Sequence, residues 1–405
     1  MAGAVTAAAG AVALGVCYAS PVRDGASPYS VLDKLYPVNV GYNVYLAVER
    51  TQLSASRAEK VAEFRFDAGH RPDSLREVYV MVIGETARAE NFGILGYDRP
   101  TTPRLEAAEG VVAFREAYTQ SNTTHKSVPM LLSAASAVDF YRVYSQKGIL
   151  AAFGEAGFHT AFISNQRPNH SFIDLLGGEA DVCRFLKEEM VCDTCDTNVP
   201  DGALAHELAA LIEGTQGNLF VVLHTYGSHF RYNERYPALM RRWSPDGPDD
   251  AVASNREALV NAYDNTILYT DHLLGDIIDT LASTGTSAAM LYASDHGENI
   301  FDDERGLFLH ASPRPSAHEL HVPMIAWTSA RHRQLHPEVT AALEDNSERR
   351  VITSASMFHT MLHLGGVSTP VFADSLSAAS PRLAEIPYLY LSDRNKPVAV
   401  AEIMR

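Results

Sequence analysis

The sequence predicts an α/β protein, with a largely parallel β-sheet sandwiched between helices. Two observations predict it. Apolar runs suited to buried strands, at 78–84, 111–118, 158–164, 218–224, 288–294 and 322–327, are interleaved with helical stretches at 145–156, 202–214, 255–283 and 353–365. Three of those runs also end on carboxylate or imidazole residues, as ligand-binding strands of such sheets do at their carboxyl ends. The run 78–84 ends on Glu85, 218–224 on His224 with His229 close behind, and 288–294 on Asp295-His296-Gly297-Glu298.

At 405 residues, 46% hydrophobic and 20% charged, the chain is long enough for one large domain or two smaller ones. A net charge of -16 argues against broad nucleic-acid binding and leaves room for a local basic pocket. Sixteen histidines favour metal chemistry. No internal repeat or low-complexity block is visible.

Residues 2–19 are apolar apart from Thr6. They approach the ~20 residues of a spanning helix but lack the positive start of a signal peptide. Residues 1–20 are therefore read as a membrane-helix remnant or signal-like segment, with an exposed leader as the alternative. Residues 21–75, with Pro21, Pro28, Pro37 and Pro72, read as a connector in which Tyr29 to Val48 forms helix against the membrane or the domain. The main domain is placed at 76–405.

Within that domain, Gly84-Glu85-Thr86-Ala87-Arg88 follows the first strand. Its glutamate can serve the first turn of a helix, where the macrodipole favours it, or a metal. Thr123-Thr124-His125-Lys126 opens a helix. A hydroxyl there is ordinarily a cap, but beside a metal it can ionise and attack phosphorus. Cys183, Cys192 and Cys195 cluster, so one short disulfide is expected in an oxidising compartment; the rival reading of Cys192 and Cys195 is a zinc or redox pair, with no second pair to complete a tetrahedral site. Residues 231–252, rich in proline and charge, read as a surface insertion. Asp295 and His296, adjacent polar residues at a buried strand end, need partners. His310 sits in the following loop, where a lone histidine is ordinarily exposed. Carboxylates and imidazoles at several strand ends describe a hard or borderline metal site, of the type zinc or manganese occupies.

At these residues the chain resembles the bacterial cell-envelope phosphoethanolamine transferases of the alkaline phosphatase/sulfatase superfamily, over roughly residues 76–395. The resemblance rests on an ordered set: Val82 to Arg88, Gly93 to Tyr97, Thr101-Thr102-Pro103, Thr124 with Ser127-Val128-Pro129, Leu223-His224 with Gly227-Ser228-His229, Arg235-Tyr236-Pro237, Tyr263-Asp264-Asn265-Thr266, Ser294 to Glu298, Leu309-His310 and His321-Val322-Pro323. It implies a sulfatase-like catalytic domain at 76–405. Glu85, Thr124, Asp295 and His296 match primary zinc ligands, and Thr124 matches the nucleophile. His229 and His310 match histidines near the transferred phosphate, which bind a second zinc or assist the leaving group. The implied reaction moves phosphoethanolamine from phosphatidylethanolamine to a lipopolysaccharide core, lipid A or other glycan acceptor through a phospho-threonine intermediate. Family members place this domain in the periplasm, anchored in the inner membrane by five helices.

Gln120-Ser121-Asn122 stands where lipid A modifiers usually carry Cys-Gly-Thr, and Ser164-Asn165-Gln166 looks like the branch acting on core sugars. The alternatives are a phosphoglycerol transferase or phosphatase of the same superfamily, and a catalytically inactive envelope-binding domain. No Cys-x-Pro-x-Arg segment of a formylglycine sulfatase is present.

Overall fold

The computed structural model describes residues 38–73, 75–189, 198–247 and 250–404. Residues 1–20 lie outside these, as do Cys192 and Cys195; Cys183 is exposed and has no disulfide partner among the described residues. The chain divides into two compact units, Met1–Glu63 and Phe64–Arg405. The described part of the first is helix α1, Val38–Glu63, which runs further than the expected 29–48; residues 29–37 lie outside the described residues. Val40, Val44 and Val48 recur on it at a four-residue spacing and are exposed. Among the described residues, no helix is long and apolar enough to cross a membrane.

The second unit is built on seven strands: β1 Glu77–Gly84, β2 Val111–Phe114, β3 His159–Ser164, β4 Val182–Phe185, β5 Leu219–His224, β6 Ser287–Ser294 and β7 Met324–Thr328. Their order in the sheet is β2-β7-β6-β1-β5-β3-β4. Neighbours from β6 through β4 pair in parallel, and β7 alone runs antiparallel to both strands beside it. The sheet is thus mixed but largely parallel, as expected.

β1 is central and buried along its whole length, because both its faces are covered. Alternation decides which helices each face meets. Tyr79, Met81 and Ile83 pack with residues of α2 (Thr124–Leu131), α3 (Ile149–Glu155) and α6 (Thr353–Leu364). Val78, Val80 and Val82 pack with α4 (Gly202–Gly214) and α5 (Arg256–Ser283). Each such side chain, fully buried, contributes about 1.5–3 kcal/mol. Register then positions the chemistry. Gly84 pairs with Ser294 and Ile83 with His224, so β1, β6 and β5 end level and deliver Glu85, Asp295 and His224 side by side.

One expectation needed correction, and two features went beyond the sequence reading. The run 111–118 breaks at exposed Arg115 and Glu116, and its second half, Ala117–Tyr118, pairs instead with Val351–Ile352. The edge strand β4 has no apolar run to announce it, because an edge strand is covered on fewer sides. The described residues of 231–252 are mostly at the surface, as expected, but the segment is anchored. Tyr232, Tyr236 and Asp246 are buried, the Tyr236 hydroxyl donates to Asp246 at 2.6 Å, and Asn265 of α5 accepts from the amides of Arg242 and Trp243.

Candidate metal centre

Thr124 begins α2 but caps nothing there. Its Oγ1 turns to the strand ends, 3.2 Å from Glu85 Oε2 and 3.1 Å from His296 Nε2. Glu85, Asp295 and His296 are fully buried and offer ligand atoms within 4.8 Å of one another. The four residues expected as primary ligands are therefore brought together.

The electrostatics of the cluster ask for a cation. His296 Nδ1 faces the Gly297 carbonyl at 2.9 Å, and a carbonyl can only accept, so Nδ1 carries the proton. That leaves Nε2 with its lone pair directed at Thr124, at Glu85 Oε1 (3.5 Å) and at Asp295 Oδ2 (3.3 Å). Asp295 Oδ1 accepts from the amides of Thr86 and His296, while Oδ2 is buried with no hydrogen-bond partner. Burial, and then the neighbouring Glu85 charge, push the Asp295 carboxyl well above its ordinary range. Burial opposes the Glu85 charge too, but His296 and His229 outweigh it and hold that carboxyl at about 2. Burial, with His310 close by, takes His296 down to about 4, so it is the neutral imidazole a metal requires. Two buried carboxylates, a bare imidazole nitrogen and a hydroxyl form an oxygen–nitrogen donor set that suits zinc.

Backbone and neighbouring side chains hold this set in place. Thr86 sits at φ 61, in the left-handed region that a β-branched residue avoids. Asp295 accepts from its amide, Tyr263 donates to its carbonyl at 2.7 Å, and its hydroxyl donates to Glu85 at 2.6 Å. Strain of that kind concentrates at functional sites. Gly227 lies at φ 49 against the Glu85 backbone, where a Cβ would stand 2.5 Å from the Glu85 carbonyl oxygen; only glycine lets the β5 loop approach so closely.

His310 and His229 flank the centre. The His310 ring lies 4.1 Å from that of His296 and 6.4 Å from that of His229. His310 Nδ1 meets Glu298 Oε1 at 3.3 Å. Burial works against its charge, but Glu298, Glu85 and Asp295 prevail and raise it to about 9. His229 donates from Nδ1 to the Phe230 carbonyl and stacks on Tyr226.

His224, a strand-end candidate, is not part of the ligand cluster. It is buried against Ser164 and Gln166. Sequence reasoning missed what Gln166 does: its amide contacts Glu85 Oε2 at 3.0 Å, the Thr225 carbonyl at 2.9 Å and His224 Nε2 at 3.1 Å. Its place directly after β3 was the available signal. Glu298, two residues beyond His296, was likewise quoted without its role beside His310. A second acidic group, Glu90, Asp302 and His318, already holds a cation, since Arg88 lies 3.2 Å from Glu90 and 2.8 Å from Asp302.

A mixed sheet between helices that gathers a hydroxyl, two carboxylates and an imidazole at its carboxyl edge is an alkaline phosphatase/sulfatase-like arrangement. The sequence matches the family described as Sulfatase over residues 77–367, and the chain belongs to that family. Within it the chain is similar to the phosphoethanolamine transferases. It is 30% identical over 326 residues to phosphoethanolamine transferase EptA of Salmonella typhimurium, covering 76% of this chain and 57% of that protein. It is 27% identical over 361 residues to the Kdo(2)-lipid A phosphoethanolamine 7''-transferase of Escherichia coli, covering 86% and 62%. The chain thus spans about three-fifths of the length of these relatives. The soluble domain of lipooligosaccharide phosphoethanolamine transferase A from Neisseria meningitidis superposes with a TM-score of 0.68 at 26% identity, over 77% of this chain and 95% of that one. The zinc complex of the C-terminal periplasmic domain of EptC from Escherichia coli gives 0.73 at 21% identity, over 82% and 95%, and shows the fold.

Proposed function

We propose that this chain carries the catalytic domain of a zinc-dependent transferase that moves phosphoethanolamine from phosphatidylethanolamine to a cell-envelope acceptor, a lipopolysaccharide core or lipid A. The single observation that carries this reading is the Thr124 hydroxyl, 3.1 Å from His296 and 3.2 Å from Glu85, beside the unpartnered oxygen of Asp295. A zinc ion held by Glu85, Thr124, Asp295 and His296 would lower the hydroxyl pKa and neutralise charge on the phosphoryl oxygens. One such ion satisfies the donor set, and His229 with His310 are the candidates for a second.

The Thr124 hydroxyl, which donates to Glu85, gives its proton to bulk water when it ionises, and the alkoxide is regenerated when the second step breaks the Thr124 O–P bond. Its oxygen attacks the donor phosphorus, a Thr124 O–P bond forms, and the P–O bond to diacylglycerol breaks. His310, protonated through its contact with Glu298, gives its proton to the departing alkoxide. The acceptor oxygen then attacks phosphorus, the Thr124 O–P bond breaks, and the acceptor proton returns to His310. His229, whose ring lies 6.4 Å from that of His310, orients the departing group. The domain at 76–405 works on the periplasmic side of the bacterial inner membrane.

The test is the intact mass of zinc-loaded protein after incubation with phosphatidylethanolamine vesicles. A phosphoethanolamine adduct is expected on Thr124, with diacylglycerol released. Thr124→Ala should show no adduct and lose transfer by at least roughly a thousandfold, with Thr124→Ser retaining part of it. An adduct on another residue, or a fully active Thr124→Ala protein, overturns the mechanism. Glycerophosphate in place of phosphoethanolamine, or net hydrolysis alone, points to the phosphoglycerol transferase or phosphatase reading. A protein that binds no zinc is the inactive envelope-binding domain.

A further inference from the structure

Beside the metal centre lies a second polar cavity of about 300 Å³, and its walls carry Arg167, Lys187 and Arg235 against a single acid, Glu234. Three cations around one cavity are conspicuous on a chain of net charge -16. Lys187 is buried, and its ammonium lies 3.1 Å above the Tyr226 ring. Among the described residues it has no carboxylate at ion-pair distance. The Arg235 guanidinium stands over the same ring at 4.3 Å, and Glu234 at 2.9 Å offsets part of its charge. Two cations thus share one aromatic ring and repel each other. Burial first, and then Arg235, hold Lys187 below the ordinary lysine range, at about 8. The cavity is also coupled to the centre. Gln166 lines it and binds Glu85, and Tyr226 lines it and stacks on His229.

We propose that this cavity binds a phosphate group carried by the acceptor saccharide, separate from the phosphorus that reacts at Thr124. An anion placed between Lys187 and Arg235 converts their repulsion into charge-assisted contacts; Arg235 already donates to the Arg231 carbonyl, Asn198 and Glu234, so the anion meets its remaining N–H groups. The site selects acceptors that are phosphorylated sugars and sets their reacting oxygen beside Gln166 and His229. This inference rests on the transfer reading above.

The experiment compares zinc-loaded wild type, Lys187→Met and Lys187→Arg. Donor is phosphatidylethanolamine in vesicles, and the acceptors are a phosphorylated core saccharide and the same saccharide stripped of phosphate. With Lys187→Met, the KM for the phosphorylated acceptor should rise at least about tenfold while the stripped acceptor is unaffected. Lys187→Arg should restore the wild-type KM. Adduct formation on Thr124 should be unchanged in both variants. Equal losses on both acceptors, or a shift in the donor concentration needed for the adduct, overturn the proposal and make the pocket structural or donor-binding. Should wild type form no adduct, the transfer reading fails, and the pocket is still decided by calorimetry with a hexosamine phosphate. Binding that weakens about tenfold in Lys187→Met supports it, and binding indifferent to Lys187 overturns it.

Discussion

Asp295 Oδ2 and His296 Nε2 face each other at 3.3 Å, and both are electron-pair donors unless a proton or a metal ion lies between them. The proton that could fill the place cannot come from His296, whose Nδ1 is committed to the Gly297 carbonyl. The cluster therefore has two states, a protonated Asp295 or a bound cation.

Asp295→Asn separates those states. Without metal, wild type carries a carboxyl whose folded pKa is raised. Its stability contribution is complete below the ordinary carboxylate range and is lost as pH rises toward the folded value. Metal-free Asp295→Asn should thus be more stable than metal-free wild type at pH 7.5, by about 1–3 kcal/mol, and the gap should narrow toward pH 4. With zinc at a hundred times its Kd, wild type should gain ~2.7 kcal/mol and the variant almost nothing. Urea unfolding with chelator and with zinc measures both. A metal-free variant no more stable than wild type would mean that the two carboxylates are not in conflict.

Gln166→Leu tests the support of Glu85. The glutamine amide fixes Glu85 Oε2 and ties it to His224 and to the Thr225 carbonyl. Loss of such a support costs on the order of 10–100-fold in metal affinity. The variant should fold, bind zinc that much more weakly in a competition titration, and recover activity at high zinc. Unchanged zinc affinity would reduce Gln166 to a packing residue.

Much of this site was legible in the sequence, and the reason is positional. A buried parallel strand leaves a long apolar run, and its carboxyl end is where an α/β sheet exposes polar groups, so Glu85, Asp295 and His296 announce themselves. Thr124 and His310 do not follow such strands: a helix-opening hydroxyl reads first as a cap and a lone loop histidine as exposed, and the ordered resemblance tipped both readings. Gln166 and Glu298 were quoted without roles, because an amide or a carboxyl acting through a neighbour leaves no pattern in composition or periodicity. The edge strand β4 escaped because its faces are only partly covered. The anchoring of 231–252 depends on Asn265, whose contacts with Arg242 and Trp243 span more than twenty residues and appear only on folding.

His359, outside the metal centre, should contribute to acid sensitivity. It is buried on α6, and burial, with Arg142 adding to it, lowers it to about 4. Its Nδ1 accepts from the Ala373 amide, which only the neutral ring can do. A base with a depressed folded pKa contributes stability above its unfolded pKa, near 6.5, that is lost as pH falls toward 4. His359→Asn keeps an acceptor for Ala373 and removes the titration. Unfolding free energies of chelated protein at pH 7.5, 6 and 5 should fall more steeply for wild type than for the variant, by roughly 1–2 kcal/mol over that range. Parallel curves would place the acid sensitivity elsewhere.

His310→Gln tests the proton donor at the centre. Glu298, buried with one oxygen unpartnered, holds the His310 ring 4.1 Å from that of His296. The histidine is raised to about 9, though a bound cation will oppose the parts of that rise due to Glu85 and Asp295. Protonated at neutral pH, it can supply the proton that a diacylglycerol alkoxide must take on leaving. A nitrophenolate leaves without one. His310→Gln should therefore slow adduct formation from phosphatidylethanolamine by about 10²–10⁴-fold and leave a nitrophenyl phosphodiester nearly unaffected. In wild type the reaction with phosphatidylethanolamine should slow as pH rises through the His310 pKa, and the variant should lose that alkaline limb. Zinc content should stay at the wild-type level, because His310 lies outside the primary donor set. Equal slowing of both donors with zinc retained would make His310 a positioning residue for the phosphoryl group, and loss of zinc would make it a ligand.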